Sequence, residues 1–169
     1  MKKLARLTAL LLTGALLLVL TACGAETEQQ AKQRLLNEIN SYRASIRLDP
    51  LEEVKQLSDA EQVWAEQFRA AGKTELPESE GLEVFNRWVS MTEDWIGYDD
   101  FGWGWDSSED GKGIDILSAK VPANTPEGKA DLWVAFKKAD TFDDECKHIG
   151  IAVVTIKGQM YWTCDVFYN

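Results

Sequence analysis

His148 is the single histidine of this 169-residue chain, and its thiols are three cysteines, Cys23, Cys146 and Cys164. Imidazole is the side chain suited to proton transfer near neutral pH, so a hydrolytic site would pair His148 with Asp115 or Asp165 and a serine such as Ser118. None of these stands in a nucleophile-elbow or triad context. Zinc needs three or four convergent nitrogen, sulfur or carboxylate ligands, and one imidazole is a poor start. Asp106-Ser-Ser-Glu-Asp110-Gly111 sets oxygens at alternate positions before a glycine, as a calcium loop does. Its twelfth position is Leu117, which removes the bidentate ligand such loops rely on. Asp143-Asp144-Glu145, beside His148, reads as a solvated acidic turn.

Cys23 has clearer chemistry. Lys2 and Lys3 precede a mostly apolar run from Leu7 to Leu20, and Leu20-Thr21-Ala22-Cys23 closes it. The run is short for a membrane span and its positive flank comes first, the pattern of a secretion signal ending at small residues. A cysteine directly after the small pair resembles the lipobox of bacterial lipoproteins, which implies acylation of Cys23 and cleavage before it. Residues 1–22 are then a signal peptide, 23–30 a lipid-anchored tether, and 31–169 the domain. The expected location is a bacterial cell membrane or outer membrane, on its extracytoplasmic face.

Charge and size bound the partners. The formal charge of −10 falls to −13 once Lys2, Lys3 and Arg6 leave with the signal, and such a field repels nucleic acid. The remaining length suits one domain with its own core. Outside the cytoplasm, a Cys146–Cys164 disulfide is the natural use of the remaining thiols, with two free buried thiols as the alternative. Direct strand pairing would put Cys164 opposite Ile151, so a bridge requires a bend before Ile149.

The elements that must position these groups follow from periodicity. Leu35, Ile39, Tyr42 and Ile46 recur at helical spacing up to the break at Pro50. Val54, Leu57, Trp64, Ala65 and Phe68 predict a second helix ending near Gly72. Ser58-Asp-Ala-Glu61 offers a later capping box, but Leu57 and Trp64 share one stripe only if the helix is continuous. A third helix follows Pro77, with Leu82, Phe85, Trp88 and Val89 along it. Residues 94–113 break the pattern and predict a loop. Ile114 to Leu117 predicts a strand. Thr125-Pro126-Glu127 predicts a helix start, running to about Lys138. Ile149 to Ile156 and Met160 to Phe167 predict a hairpin across Lys157-Gly158. The order predicts an α+β domain.

Four stretches carry a family resemblance. Leu36-Asn-Glu-Ile-Asn-Ser-Tyr-Arg43 is similar to the first-helix signature of the CAP superfamily, named for cysteine-rich secretory proteins, antigen 5 and pathogenesis-related 1. Leu48-Asp-Pro-Leu51, with Leu57 and Trp64-Ala65, resembles its second-helix pattern. Thr125 to Trp133 resembles the helix before its last strands, and His148-Ile-Gly-Ile-Ala-Val153 with Tyr161-Trp162 and Asp165-Val-Phe167 resembles its closing hairpin. The resemblance implies a three-layer α-β-α sandwich with a small antiparallel sheet. Many CAP proteins hold two histidines and two glutamates able to bind zinc, and this chain departs from that pattern. Lys73-Thr-Glu-Leu76 lacks the first histidine, Ile114 stands for a glutamate, Phe136 stands where the second glutamate can lie, and no histidine follows at the usual distance. Neither metal nor cofactor is expected.

Trp95, Tyr98, Phe101, Trp103 and Trp105 crowd the 94–113 loop, and loops seldom spend so many large rings on solvent. They fit a core plug where the family's site would lie, a platform for sugar or lipid, or a protein dock. Trp95, Trp103, Trp105, Asp115 and His148 are the candidate ligand-binding residues. The resemblance implies a non-catalytic binding or scaffolding module for an envelope component (a lipid, glycan or protein) or an apolar small molecule. A hydrolase with a rearranged site around His148 is the alternative.

Overall fold

The computed structural model describes residues 25–95, 119–122, 125–138 and 141–168. Cys23 with its signal segment, and Trp103, Trp105, Asp115, Ser118 and the strand expected over 114–117, lie outside the described residues.

Helix α1 spans Glu28–Ser45. It begins inside the stretch read as tether, because Thr27 and Gln30 form a reciprocal capping box: Gln30 N donates to Thr27 Oγ1 at 3.2 Å and Thr27 N to Gln30 Oε1 at 2.9 Å. Strand β1, Glu52–Glu53, leads into α2, Lys55–Ala71. Gly72 ends α2 at φ 61°, a left-handed conformation that glycine adopts without strain. The early start and single course of α2 agree with the continuous apolar stripe. Helix α3 is Glu78–Thr92, β2 is Ala119–Lys120, and α4 is Pro126–Lys138. Thr125 Oγ1 accepts Gly128 N at 3.1 Å at the head of α4. Strands β3, His148–Ile156, and β4, Gln159–Phe167, form the expected hairpin. Its turn residues Lys157 and Gly158 both have positive φ, 50° and 81°, matching the twist of the flanking strands.

The sheet order is β1-β3-β4-β2. It is mixed, since β1 runs parallel to β3 while the other pairings are antiparallel. Beyond β1 the edge of β3 is met by α2: Ser58 Oγ accepts Ile151 N at 3.2 Å and donates to Glu53 Oε1 at 2.8 Å. Side chains on β3 alternate between two cores. Ile149, Ile151 and Val153, with Trp162 and Cys164 of β4, pack with Leu35 and Ile39 of α1 and Leu132 and Phe136 of α4. Ala152, Val154, Ile156 and Phe167 pack with Leu57, Trp64 and Phe68 of α2 and Val84 and Trp88 of α3. The sheet is thus the middle layer of an α-β-α sandwich.

Two residues of the first-helix signature fasten the loops. Asn40 Nδ2 donates to Leu51 O at 3.0 Å, and its Oδ1 accepts Leu51 N at 2.8 Å. Arg43, 1% exposed, donates to the carbonyls of Asp49 (2.6 Å), Thr141 (2.6 Å), Asp143 (2.9 Å) and Cys146 (3.1 Å). A planar guanidinium with five N–H groups suits such convergent acceptors.

The expected disulfide is corrected: no bridge joins Cys146 to Cys164, and both side chains are buried. Ile151 is the register partner of Cys164, and Lys147 N donates to Phe167 O at 3.0 Å. The ladder therefore runs on past His148 without the bend a bridge would need. Five residues of extended chain then separate the level of Cys164 from Cys146, roughly 16 Å, against a disulfide reach of about 7 Å between Cα atoms.

Gly150 marks the closest approach of helix to sheet. A Cβ there would stand 2.7 Å from the Leu57 backbone carbon and oxygen, atoms that cannot swing away. Gly150→Ala is expected to cost about 1–3 kcal/mol through overpacking, read as a lower denaturant midpoint at unchanged slope. A wild-type midpoint would show that α2 does not lie this close.

Candidate functional site

The residues brought together by this packing lie on the sheet face under α2 and α3. Glu61 continues the buried stripe of α2 between Leu57 and Trp64, and it is 0% exposed. Trp88 Nε1 of α3 donates to Glu61 Oε1 at 2.8 Å, and Thr163 Oγ1 of β4 donates to Glu61 Oε2 at 2.7 Å. Asp165, two residues along the same face of β4, is hydrogen-bonded to the Glu61 carboxyl and sits opposite Gly150. Removing a carboxylate from water disfavours its charged form, and a second carboxylate alongside disfavours it further. Burial first, and the Asp165 charge second, push the Glu61 carboxyl well above the usual range. Burial pushes Asp165 up to about 6, against a lowering contribution from the Glu61 hydrogen bond.

Trp95 and His148 meet at the end of the same face. Their ring centroids are 5.1 Å apart with the planes at 70°, an edge contact. Both are half-buried. Trp95 Nε1 donates to Gln56 Oε1 at 3.3 Å, and Gln56 Nε2 donates to Met91 O at 2.7 Å. Trp88 stacks toward Phe167 at 6.3 Å, and Phe167 is the register partner of His148. The seam therefore runs from Glu61 through Trp88 and Phe167 to His148 and Trp95. His148 Nδ1 is buried without a hydrogen-bond partner among the described residues, so Asp165 does not orient that nitrogen.

Of the sequence candidates, the structure joins Trp95 to His148 and places Asp165 with Glu61. Glu61, Trp88 and Thr163 were not among them. The signal for Glu61 was present: a glutamate four residues after Leu57 and three before Trp64 falls inside an apolar stripe. Thr163 and Asp165 likewise alternate with the buried Trp162 and Cys164.

The donor set does not fit the family's zinc site. Phe136, at the position where a glutamate can lie, is 0% exposed and packs edge-on against Trp162 at 4.9 Å. After α2, Lys73, Thr74 and Glu75 line an open depression of about 380 Å³ with Ile156, Lys157 and Tyr161, a lining with two ammonium groups and no imidazole. Among the described residues no group of three or more His, Cys, Asp or Glu side chains is placed to hold a metal ion.

The sequence profile of the CAP family, the cysteine-rich secretory protein family, matches residues 36–166. The chain belongs to the CAP family. A comparison with curated proteins returns no match. The CAP helices and hairpin are therefore present here around a seam built on Glu61.

Trp88→Phe keeps the ring but leaves Glu61 Oε1 without its donor, and is expected to lower stability by about 1–3 kcal/mol. Trp95→Phe gives up only an exposed contact to Gln56 and should change stability by less than about 0.5 kcal/mol. Denaturant titration compares the two, and equal losses would mean that the Trp88 bond carries no special weight.

Proposed function

We propose that this CAP domain is a non-catalytic binding module, tethered by lipid at Cys23 on the extracytoplasmic face of a bacterial membrane, that recognises an envelope component. The observation that carries this reading is the disposition of its convergent acids. Glu61 is sealed between helix and sheet, where substrate cannot enter, while Phe136 stands where the resemblance allows a glutamate and Lys73-Thr-Glu-Leu76 offers no histidine. General acid–base work needs a group within hydrogen-bond reach of the reacting atoms, and Glu61 reaches only Trp88, Thr163 and Asp165. His148, the remaining proton-transfer group, meets an indole edge at one side.

The half-buried Trp95–His148 corner is the recognition surface in this reading. A half-buried indole beside an imidazole suits a ligand that offers an apolar face, as glycans do. The acidic field excludes nucleic acid and favours neutral or cationic partners.

Two measurements test this. Cys23→Ser removes the thiol on which acylation depends, so the variant should lose its lipid mass increment and its partition into detergent; unchanged mass and partitioning would refute the anchor. The purified mature chain should bind isolated envelope polysaccharide saturably, with binding weakened at least tenfold in Trp95→Ala, and should show no ester or peptide turnover above that of His148→Ala. Turnover that disappears in His148→Ala would establish the hydrolase instead.

A further inference from the structure

We propose that Glu61 and Asp165 share a single proton that latches α2 and α3 onto β4, so that the outer helical layer is held fast in mild acid and loosens in alkali. This goes beyond the binding reading and does not depend on which ligand is taken.

The geometry requires a shared proton. Two carboxyl groups in hydrogen-bond contact need one hydrogen between them, since a pair of carboxylates offers only acceptors. Glu61 is the member that keeps it. Its oxygens already accept Trp88 Nε1 and Thr163 Oγ1, it is 0% exposed, and Asp165 retains some contact with water. The protonated Glu61 donates to the Asp165 carboxylate and accepts from the indole and the hydroxyl, which satisfies its hydrogen-bonding capacity. Removal of that hydrogen leaves two adjacent negative charges in a site walled by Trp88, Ala60, Ala152 and Phe167.

No described cation neutralises the pair. On α2, Lys55 is paired with Asp59, and Arg69 with Glu66 and with Glu28 of α1. On α3, Glu80, Glu83 and Arg87 are exposed, as are Glu93 and Asp94 just after it. On β3, His148 ends the same face against Trp95. On β4, the Cys164 thiol is pushed well above its ordinary range by burial first, then by the charges of Asp165 and Glu61, so it offers no relief.

The sign follows from proton binding. The unfolded carboxyls ionise near pH 4, and the folded pair takes up protons well above that. The folded state therefore binds more protons than the unfolded state above the ordinary carboxylate range, and stability falls as pH rises. Asp165 loses its proton around pH 6, and burial with the Asp165 charge alongside holds the Glu61 proton well above the ordinary range. Because Trp88 links Glu61 to α3 and Trp95 follows that helix directly, loosening the latch frees the Trp95–His148 corner.

Guanidinium unfolding of the mature chain between pH 5 and 8.5 reads the proton directly. The wild-type unfolding constant should rise with pH, by up to about tenfold per unit for each proton that the folded pair retains. Glu61→Gln keeps an acceptor for Trp88 and a donor to Asp165 but cannot ionise, and should remove most of that slope. Asp165→Asn should move the remaining titration to lower pH, because the repelling charge is gone. Parallel pH profiles for wild type and Glu61→Gln would overturn the proposal, as would a titration unmoved in Asp165→Asn. If the variants do not fold, the indole N–H resonance of Trp88 in the wild type, assigned by Trp88→Phe, should shift with an inflection well above the ordinary carboxylate range. A resonance that stays constant to pH 9.5 would overturn it equally.

Discussion

Helix α2 lies against β3 at a distance that only Gly150 permits, with the Leu57 backbone directly above it. That approach places Glu61 where its carboxyl must find partners within the protein, because an unpartnered carboxylate there would forfeit its hydration. Trp88, Thr163 and Asp165 supply them. The position of α3 follows, since Trp88 reaches Glu61 from that helix, and so does the placement of Trp95 over His148. A polar group at the centre of an apolar layer thus sets how two helices sit on the sheet.

The other face is organised differently. There Phe136, Trp133, Phe142 and Tyr42 form a connected set of rings, with Tyr42 stacked on Trp133 at 4.8 Å and tilted to Phe142 at 4.5 Å. Arg43 ties the loops beside them through four backbone carbonyls. Phe136, which the resemblance sets where a glutamate can lie, is part of this aromatic packing.

Most of the fold was legible because periodicity and caps are local. Leu57, Trp64 and Phe68 share a stripe that identifies α2 and its buried face, Thr125-Pro126 marks the start of α4, and Lys157-Gly158 marks the hairpin turn. The start of α1 was less visible, since Thr27 and Gln30 sit in a polar stretch that resembles tether until their reciprocal bonds are seen. The parallel pairing of β1 with β3 joins residues nearly a hundred positions apart and leaves no local trace. The disulfide failed on a non-local term as well: compartment and cysteine count favoured it, and strand register forbids it. Glu61 was visible in the stripe, but its partners come from α3 and β4, so no pattern within α2 could identify the pair.

The central claim is that the Glu61 carboxyl keeps its proton well above the ordinary carboxylate range, held so by burial and by Asp165. The most direct measurement is the side-chain carboxyl ¹³C resonance of Glu61, assigned with Glu61→Gln and followed from pH 4 to pH 9. The account predicts the chemical shift of a protonated acid at pH values where an ordinary glutamate is ionised, with Asp165 titrating near pH 6. A carboxylate shift for Glu61 already at pH 6 would contradict it.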